Sequence, residues 1–227
     1  MSATSAMAIA VQNRQQMQVQ NQVVVQQMAS LKDKRKEWDA IPADPTTPKG
    51  ALRALFQSAA KGDLAAVRAR MKSSQAGSDP MLDITARFIT ANQSARATAI
   101  TRFGEDKVQT LQMVSINGNQ MPGLMDLEME MIGMPWQPRP DGGLTADQIA
   151  VIKGDDGTYY LDTSPTESAN GVQQSQAAAT TMLLSMAQRM EQINQLLKDN
   201  PSLTIDQFRD ALSNPAAPAT QPATTHP

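Results

Sequence analysis

The spacing of apolar residues changes period at Gly104, and that change limits the fold more than any other feature of the chain. Before it, Leu52, Leu55 and Phe56 recur at i, i+3 and i+4, and Leu64, Val67 and Met71 repeat the spacing. A longer helix is predicted from Pro80 to Phe103, with Ile84, Phe88, Ala91, Ala95, Ala99 and Phe103 three or four apart and Gly104 as its stop. The alanines on its buried side would let another element approach closely. After Gly104 the residues alternate. In "KVQTLQMVSING", Val108, Thr110, Gln112 and Val114 stand against Gln109, Leu111, Met113 and Ser115, as in a strand that ends at Asn-Gly. "LMDLEMEM" over 124–131 sets Asp126, Glu128 and Glu130 against Leu127, Met129 and Met131, and is also read as a strand, although its residues are good helix formers. The clearest signal is the pair of β-prone runs 149–153 and 158–162, joined by Gly-Asp-Asp-Gly as a hairpin. Helix period followed by strand period predicts an α+β chain.

Within the helical part, "AAKGDLAAVRARM" interrupts an Ala-rich helix at Gly62 and Asp63. Gly62 suits the left-handed conformation that closes one helix, and the Asp63 carboxylate suits the free amides that open the next. Such a corner also occurs in ankyrin repeats. Those require recurrence every 33 residues or so and a Thr-Pro-Leu-His-like turn, and residues 92–104 show neither.

Both flanks read as helical. Residues 7–38 are rich in Gln, Met and Val and lack Pro and Gly, and Met17, Val24, Leu31 and Trp38 recur every seventh residue with Met28 between them. The polar seam positions Asn21 and Arg35 leave two readings, an imperfect coiled coil or an amphipathic helix lying on its own domain. The cluster "KDKRKEW" falls in the last turns, where cations suit the helix dipole. "IPADPTTPKG" then marks a Pro-rich linker over 39–50. Beyond Pro165, Met182, Met186, Met190, Ile193 and Leu197 form one stripe, and Thr204 with Gln207 is placed as a capping box. The expected division is a helical extension over 1–38, the linker, an α+β domain over 51–163, a helical region over 164–213, and a disordered Pro/Ala/Thr tail over 214–227.

Composition excludes several chemistries. Aromatics are 4% of the chain while Met numbers 15, so the core must rest on aliphatic and flexible side chains. A net charge of −2 gives no general attraction to phosphate backbones, and nucleic acid is not expected as a partner. There is no Cys, and the one His, His226, sits in the tail, which removes thiolate chemistry, a Ser-His-Asp triad and a His-rich metal centre from the folded body. Asp126, Glu128 and Glu130 on one strand face would lie ~6.5–7 Å apart and diverge from a common cation. Asp155 and Asp156 read as turn residues, their loop being too short for calcium. No phosphate loop or Ser elbow is present. No catalytic residue, metal site or cofactor is therefore expected. No run reaches the ~18 apolar residues of a membrane span. "MSATSAMAIAVQNR" is read as mature sequence, with a cytoplasmic location by default and export as the alternative.

A helix, a Gly-Asp corner, a second helix, a long helix and then antiparallel strands closing on "IKGDDGTYYLD" resembles the nuclear-transport-factor-two-like superfamily, which includes SnoaL-like and limonene-epoxide-hydrolase-like proteins. Its last strands often carry an Asp-Gly turn followed by an aromatic, matched here by Asp156, Gly157 and Tyr159. The resemblance spans about 48–163. It departs at "KSSQAGSDP", which reads as loop where the family usually has a strand. It implies three helices packed on a curved antiparallel sheet, cone-like, around one apolar pocket, with the long helical extensions added at both ends. Enzymatic members place Asp-His or Asp-Arg-Asp in that pocket. No histidine is available here and no acid aligns, so the resemblance implies binding.

Trp136, an aromatic between prolines in "GMPWQPRP", either caps such a pocket with Phe88 and Tyr159 inside or seals a core edge. The expected function is non-enzymatic binding or assembly. Helices 7–38 and 173–198 would serve self-association or a protein partner, and the pocket an apolar small molecule. The alternatives are a hydrolase or isomerase using a pocket carboxylate, and an all-helical adaptor.

Overall fold

Thr47 and Pro48 open the first long helix. In a computed structural model of the chain, which describes residues 33–73, 79–116, 119–146, 149–162 and 176–213, a helix α1, described over residues 33–39, precedes it. The Thr47 hydroxyl accepts from the Gly50 amide, and Pro48 takes the first turn of α2 (Pro48–Ala60), where its missing N–H is not needed. Leu52, Leu55 and Phe56 are buried at 1%, 1% and 3% exposure, as their spacing predicts. Each such burial contributes roughly 1.5–3 kcal/mol relative to exposure. The seam residues Met17, Val24, Met28 and Leu31 lie outside the described residues. Trp38, the last of that seam, is buried in the core.

The Pro-rich segment is packed against the body. The Tyr159 amide donates to the Pro45 carbonyl at 2.8 Å. At Gly50 a Cβ would sit 2.3 Å from the Asp44 carbonyl oxygen, so only glycine fits beneath this segment. Residues 48–50, expected at the end of the linker, are the first turn of α2.

The Gly-Asp corner forms as predicted. Gly62 has φ 75°, and the Asp63 carboxylate accepts from the Ala66 amide at 3.0 Å to cap α3 (Leu64–Ala69). A Cβ on Gly62 would lie 3.3 Å from the Ser94 hydroxyl, so the corner also rests closely on the next helix. Leu64 departs from its expected stripe and is 41% exposed. A helix of 6 residues has one inward position, and Val67 fills it. Met71 is buried, but on a strand, β1 (Met71–Lys72), rather than on a helix. A strand therefore follows the second helix and ends at Lys72, the first residue of the segment that reads as loop. Two residues are too few to show a period.

The third long helix, α4 (Asp79–Phe103), ends at Gly104 with φ 89°. Residues 88–96 are all buried, polar ones included, so α4 is the central rod of the molecule. The expected strand from 108 begins later. Residues 105–109 form α5 (Glu105–Gln109), with Glu105 and Asp106 in the first turn where the helix dipole favours them. Val108 and Leu111, placed on opposite strand faces by alternation, are both fully buried, because the chain turns at the end of α5 and the Leu111 amide donates back to the Val108 carbonyl at 2.9 Å. The strand proper is β2 (Met113–Ile116), paired antiparallel with β3 (Asn119–Pro122).

The segment 124–131 is not a strand. Asp126 accepts from the Met129 amide at 3.1 Å and caps α6 (Leu127–Gly133), whose first turn holds Glu128 and Glu130. An acid at the cap followed by acids in the first turn is a helix start, and it overrides a short alternation.

The main sheet has five strands in the order β1, β7 (Tyr159–Asp162), β6 (Ile149–Lys153), β5 (Leu144–Ala146) and β4 (Gln137–Pro138). The predicted β6–β7 hairpin is present, with Val151 opposite Leu161 and Lys153 opposite Tyr159. The sheet is mixed rather than antiparallel throughout, because α3 delivers β1 beside β7 in parallel, with the Leu161 amide donating to the Arg70 carbonyl at 3.0 Å. This sheet rules out the all-helical alternative. Helix nevertheless makes up 62% of the described residues, so the sheet is the minor layer of an α+β fold.

The layers run sheet, α2, α4, then α7 (Gln176–Asp199). Of the three N-terminal helices, α2 is the one that lies against β6 and β7; α4 reaches the sheet at β1. The capping box closes as predicted: the Thr204 amide donates to Gln207 Oε1 at 2.9 Å, and the Gln207 amide to Thr204 Oγ1 at 3.3 Å. It starts α8 (Ile205–Ser213), where Phe208 is fully buried and stacks on Phe103 with ring centroids 5.6 Å apart. The tail 214–227 lies outside the described residues. Among these residues no helix is long and apolar enough to cross a membrane.

Candidate functional site

Small residues on α4 let α7 come close. Ala91, Ala95 and Ala99 are buried on one helix, and Ala187, Met190, Ile193 and Leu197 on the other. Polar contacts fix the register: Arg87 grips Glu191 with two bonds of 2.8 Å, and Arg102 donates to the Asn200 carbonyl at 2.6 Å, capping the end of α7. Donating to the Glu191 carboxylate holds the Arg87 guanidinium above its usual range.

Toward the start of α7 this close packing opens into a cavity of about 160 Å³. Phe88 of α4, Met125 before α6, and Met182, Met186 and Met190 of α7 line it, together with Ser185, Arg189 and Gly123. Met182 is 61% exposed, so the wall runs out to solvent. Among the described residues no Asp or Glu lines this space. Arg189 donates to the Leu212 carbonyl at the end of α8, and burial pushes its guanidinium below its usual range.

A second concentration of polar chemistry lies across α4. Arg96 and Asp126, with side chains each 8% exposed, form an ion pair at 2.7 Å. Asn92 donates to the Met125 carbonyl at 2.8 Å, but its Oδ1 and the Nε of Arg96 have no hydrogen-bond partner, and Nη2 of Arg96 meets Asp126 at ion-pair distance without hydrogen-bond alignment. Next to them Glu128 accepts from the Trp38 indole at 2.8 Å and pairs with Arg35 at 2.9 Å, while Arg53 bridges to Asp39 at 2.9 Å. Burial works against the Arg35 charge, yet the carboxylates of Glu128, Asp39 and Asp126 outweigh it and hold its pKa above the usual value. Asp126, Glu128 and Asp39 each face a cation, which makes the junction an anchor of α1 and α6, while Glu130 beside them has no described ion pair and its pKa is pushed up by burial and by the Asp126 carboxylate.

The three aromatic candidates fall in three places. Phe88 lines the cavity. Trp136 is half-buried and donates to the Met131 carbonyl at 2.7 Å, closing the end of α6. Tyr159 is buried on β7 between the Pro-rich segment and the β4–β5 turn. The structure does not gather them into one pocket: of the three, only Phe88 lines the cavity between α4 and α7. Sequence reading found Met182, Met186 and Met190 as a helical stripe but had no signal for Met125 or Arg189, which reach the site from a turn and from beside that stripe. Asp155 and Asp156 lie in the β6–β7 turn as expected. Asp156 accepts from the Tyr160 hydroxyl and from the Thr158 hydroxyl and amide, which lower its pKa to about 2.

No family model matches the chain, and no curated protein or solved structure shows a significant similarity to it.

Proposed function

We propose that the protein is a non-enzymatic binding module whose cavity between α4 and α7 takes a small apolar group. The observation that carries this reading is the cavity wall of Phe88, Met125, Met182, Met186 and Met190, open to solvent at Met182. Methionine walls adapt to varied apolar shapes. The size sets the guest: drug-sized sites run from roughly 300 Å³ upward, whereas an apolar cavity of about 150 Å³ takes a single benzene ring. The lack of a lining carboxylate among the described residues argues against a hydrolase or isomerase at this site.

We extend the proposal to a transport-factor-like scaffold. The order helix, helix, short strand, long helix and later strands supports it, and β1 supplies a two-residue strand at the edge of the departure noted at 72–80. The proposed docking flanks, 7–38 and 173–198, differ in what is left free. The C-terminal part of the α7 stripe is already covered by α4, so self-association through α7 would fall to its start, around Met182.

The test is a thermal-shift titration with neutral benzyl alcohol on the wild type and on Met186→Trp, which fills the cavity. A rise in midpoint in the wild type that is lost in the variant supports the reading. Equal behaviour of the two proteins contradicts it, and a change of mass with Met182→Glu in light scattering would assign the surface to self-association instead.

A further inference from the structure

We propose that the cavity takes a compact apolar body bearing one carboxylate, a small aryl or branched-chain acid, with Arg189 as the anchor for the charge. The inference rests on the apolar reading of the same cavity and adds the polar half of the ligand.

Arg189 is the one cation in a wall otherwise made of Phe88, methionines, Ser185 and Gly123. A guanidinium has five N–H donors, and Arg189 makes a single described contact, from Nη2 to the Leu212 carbonyl. Other arginines of the body are answered by acids: Arg96 by Asp126, Arg35 by Glu128, Arg53 by Asp39 and Arg87 by Glu191. Arg70 and Arg102 also lack an acid among the described contacts, but neither lines the cavity, and Arg102 places its donors on the carbonyls of Leu197 and Asn200 at the end of α7. Arg189 is thus partly desolvated, without a carboxylate partner among the described residues, and set in a hollow. Burial lowers its pKa, the mark of a charge missing its counter-ion. The planar fork of arginine matches a carboxylate with two parallel bonds. A cavity of about 160 Å³ limits the apolar body to roughly one ring or a short branched chain.

The plainer role of Arg189 is to cap the end of α8, where a cation is favoured. That role predicts a loss of stability on substitution and no preference among ligands, so the two are separable by calorimetry on the full chain with benzoate and with benzyl alcohol. The expected result is that benzoate binds at least about tenfold more tightly. Arg189→Met should remove this preference while leaving the alcohol unchanged. Arg189→Lys, which keeps a charge and the carbonyl contact, should retain part of it and covers the case in which the methionine variant does not fold. Equal affinities in the wild type, or a preference that survives Arg189→Met, overturn the inference and leave the apolar reading standing. If neither compound binds, both fail.

Discussion

The two sides of α4 are held by different balances of charge and apolar contact. On one side Arg96 meets Asp126, and Glu128 gathers Trp38, Arg35 and Arg53, so that α1 and α6 are positioned by charge. On the other side α7 rests on alanines through Met190, Ile193 and Leu197. Buried ion pairs add little net stability over an apolar substitute, but they are costly to break and they admit one geometry. Apolar contact supplies the driving force on the α7 side, with Arg87–Glu191 and the Arg102 cap setting the register at its margins, and where alanine gives way to Phe88 and methionine the contact opens into a cavity. The charged side is therefore the one expected to be intolerant, and the apolar side the one free to bind.

The largest effect should come from Arg96→Met, which strands a buried carboxylate. A loss of about 3–5 kcal/mol in denaturant unfolding is expected, and a loss under about 1 kcal/mol would show that Asp126 is not committed to the pair. Next, Ala99→Leu on the α7 side should cost about 1–3 kcal/mol through overpacking, whereas Met182→Ala at the open end should change stability by no more than about 0.5 kcal/mol. Equal costs at the two positions would mean that α7 packs uniformly and has no open end. Asp63→Ala should remove the α3 cap at about 1 kcal/mol and leave binding intact, because no residue of the corner lines the cavity; loss of binding in the folded variant would couple the corner to the site.

A smaller effect concerns acid. The Tyr160 and Thr158 bonds hold Asp156 at about 2 in the folded protein, below the ~3.9 of an unfolded chain. The folded-state pKa is the lower one, so this stabilisation is present above about pH 4 and is lost as pH falls from there through about pH 2. Asp156→Asn should flatten the fall of the thermal midpoint across that window. An unchanged acid slope would place the cause in other carboxylates.

What the sequence disclosed follows from the range of each interaction. The Gly62–Asp63 corner, the Thr204–Gln207 box and the β6–β7 hairpin are settled by residues a few positions apart, and all three form as read. Alternation over 107–112 and 124–131 misled because a few residues fit both periods; Asp126 as a cap and the turn from Val108 to Leu111 decide against strand. Strand β1 escaped because its identity lies in its partner Leu161, 90 positions away in the register. The candidate site was half legible. The Met stripe of α7 shows in the spacing, but Met125 and Arg189 join it only through the three-dimensional path of the chain, and Trp136 and Tyr159 are drawn elsewhere by the α6 terminus and the Pro-rich segment.

The most direct test of the cavity uses its own side chains. With the methyl groups of the 15 methionines carbon-labelled, a titration with benzyl alcohol followed by methyl spectroscopy should shift the signals of Met125, Met182, Met186 and Met190 and leave those of the buried Met71 and Met131 in place. Shifts spread evenly over all of them, or confined to Met71 and Met131, would contradict a binding site between α4 and α7.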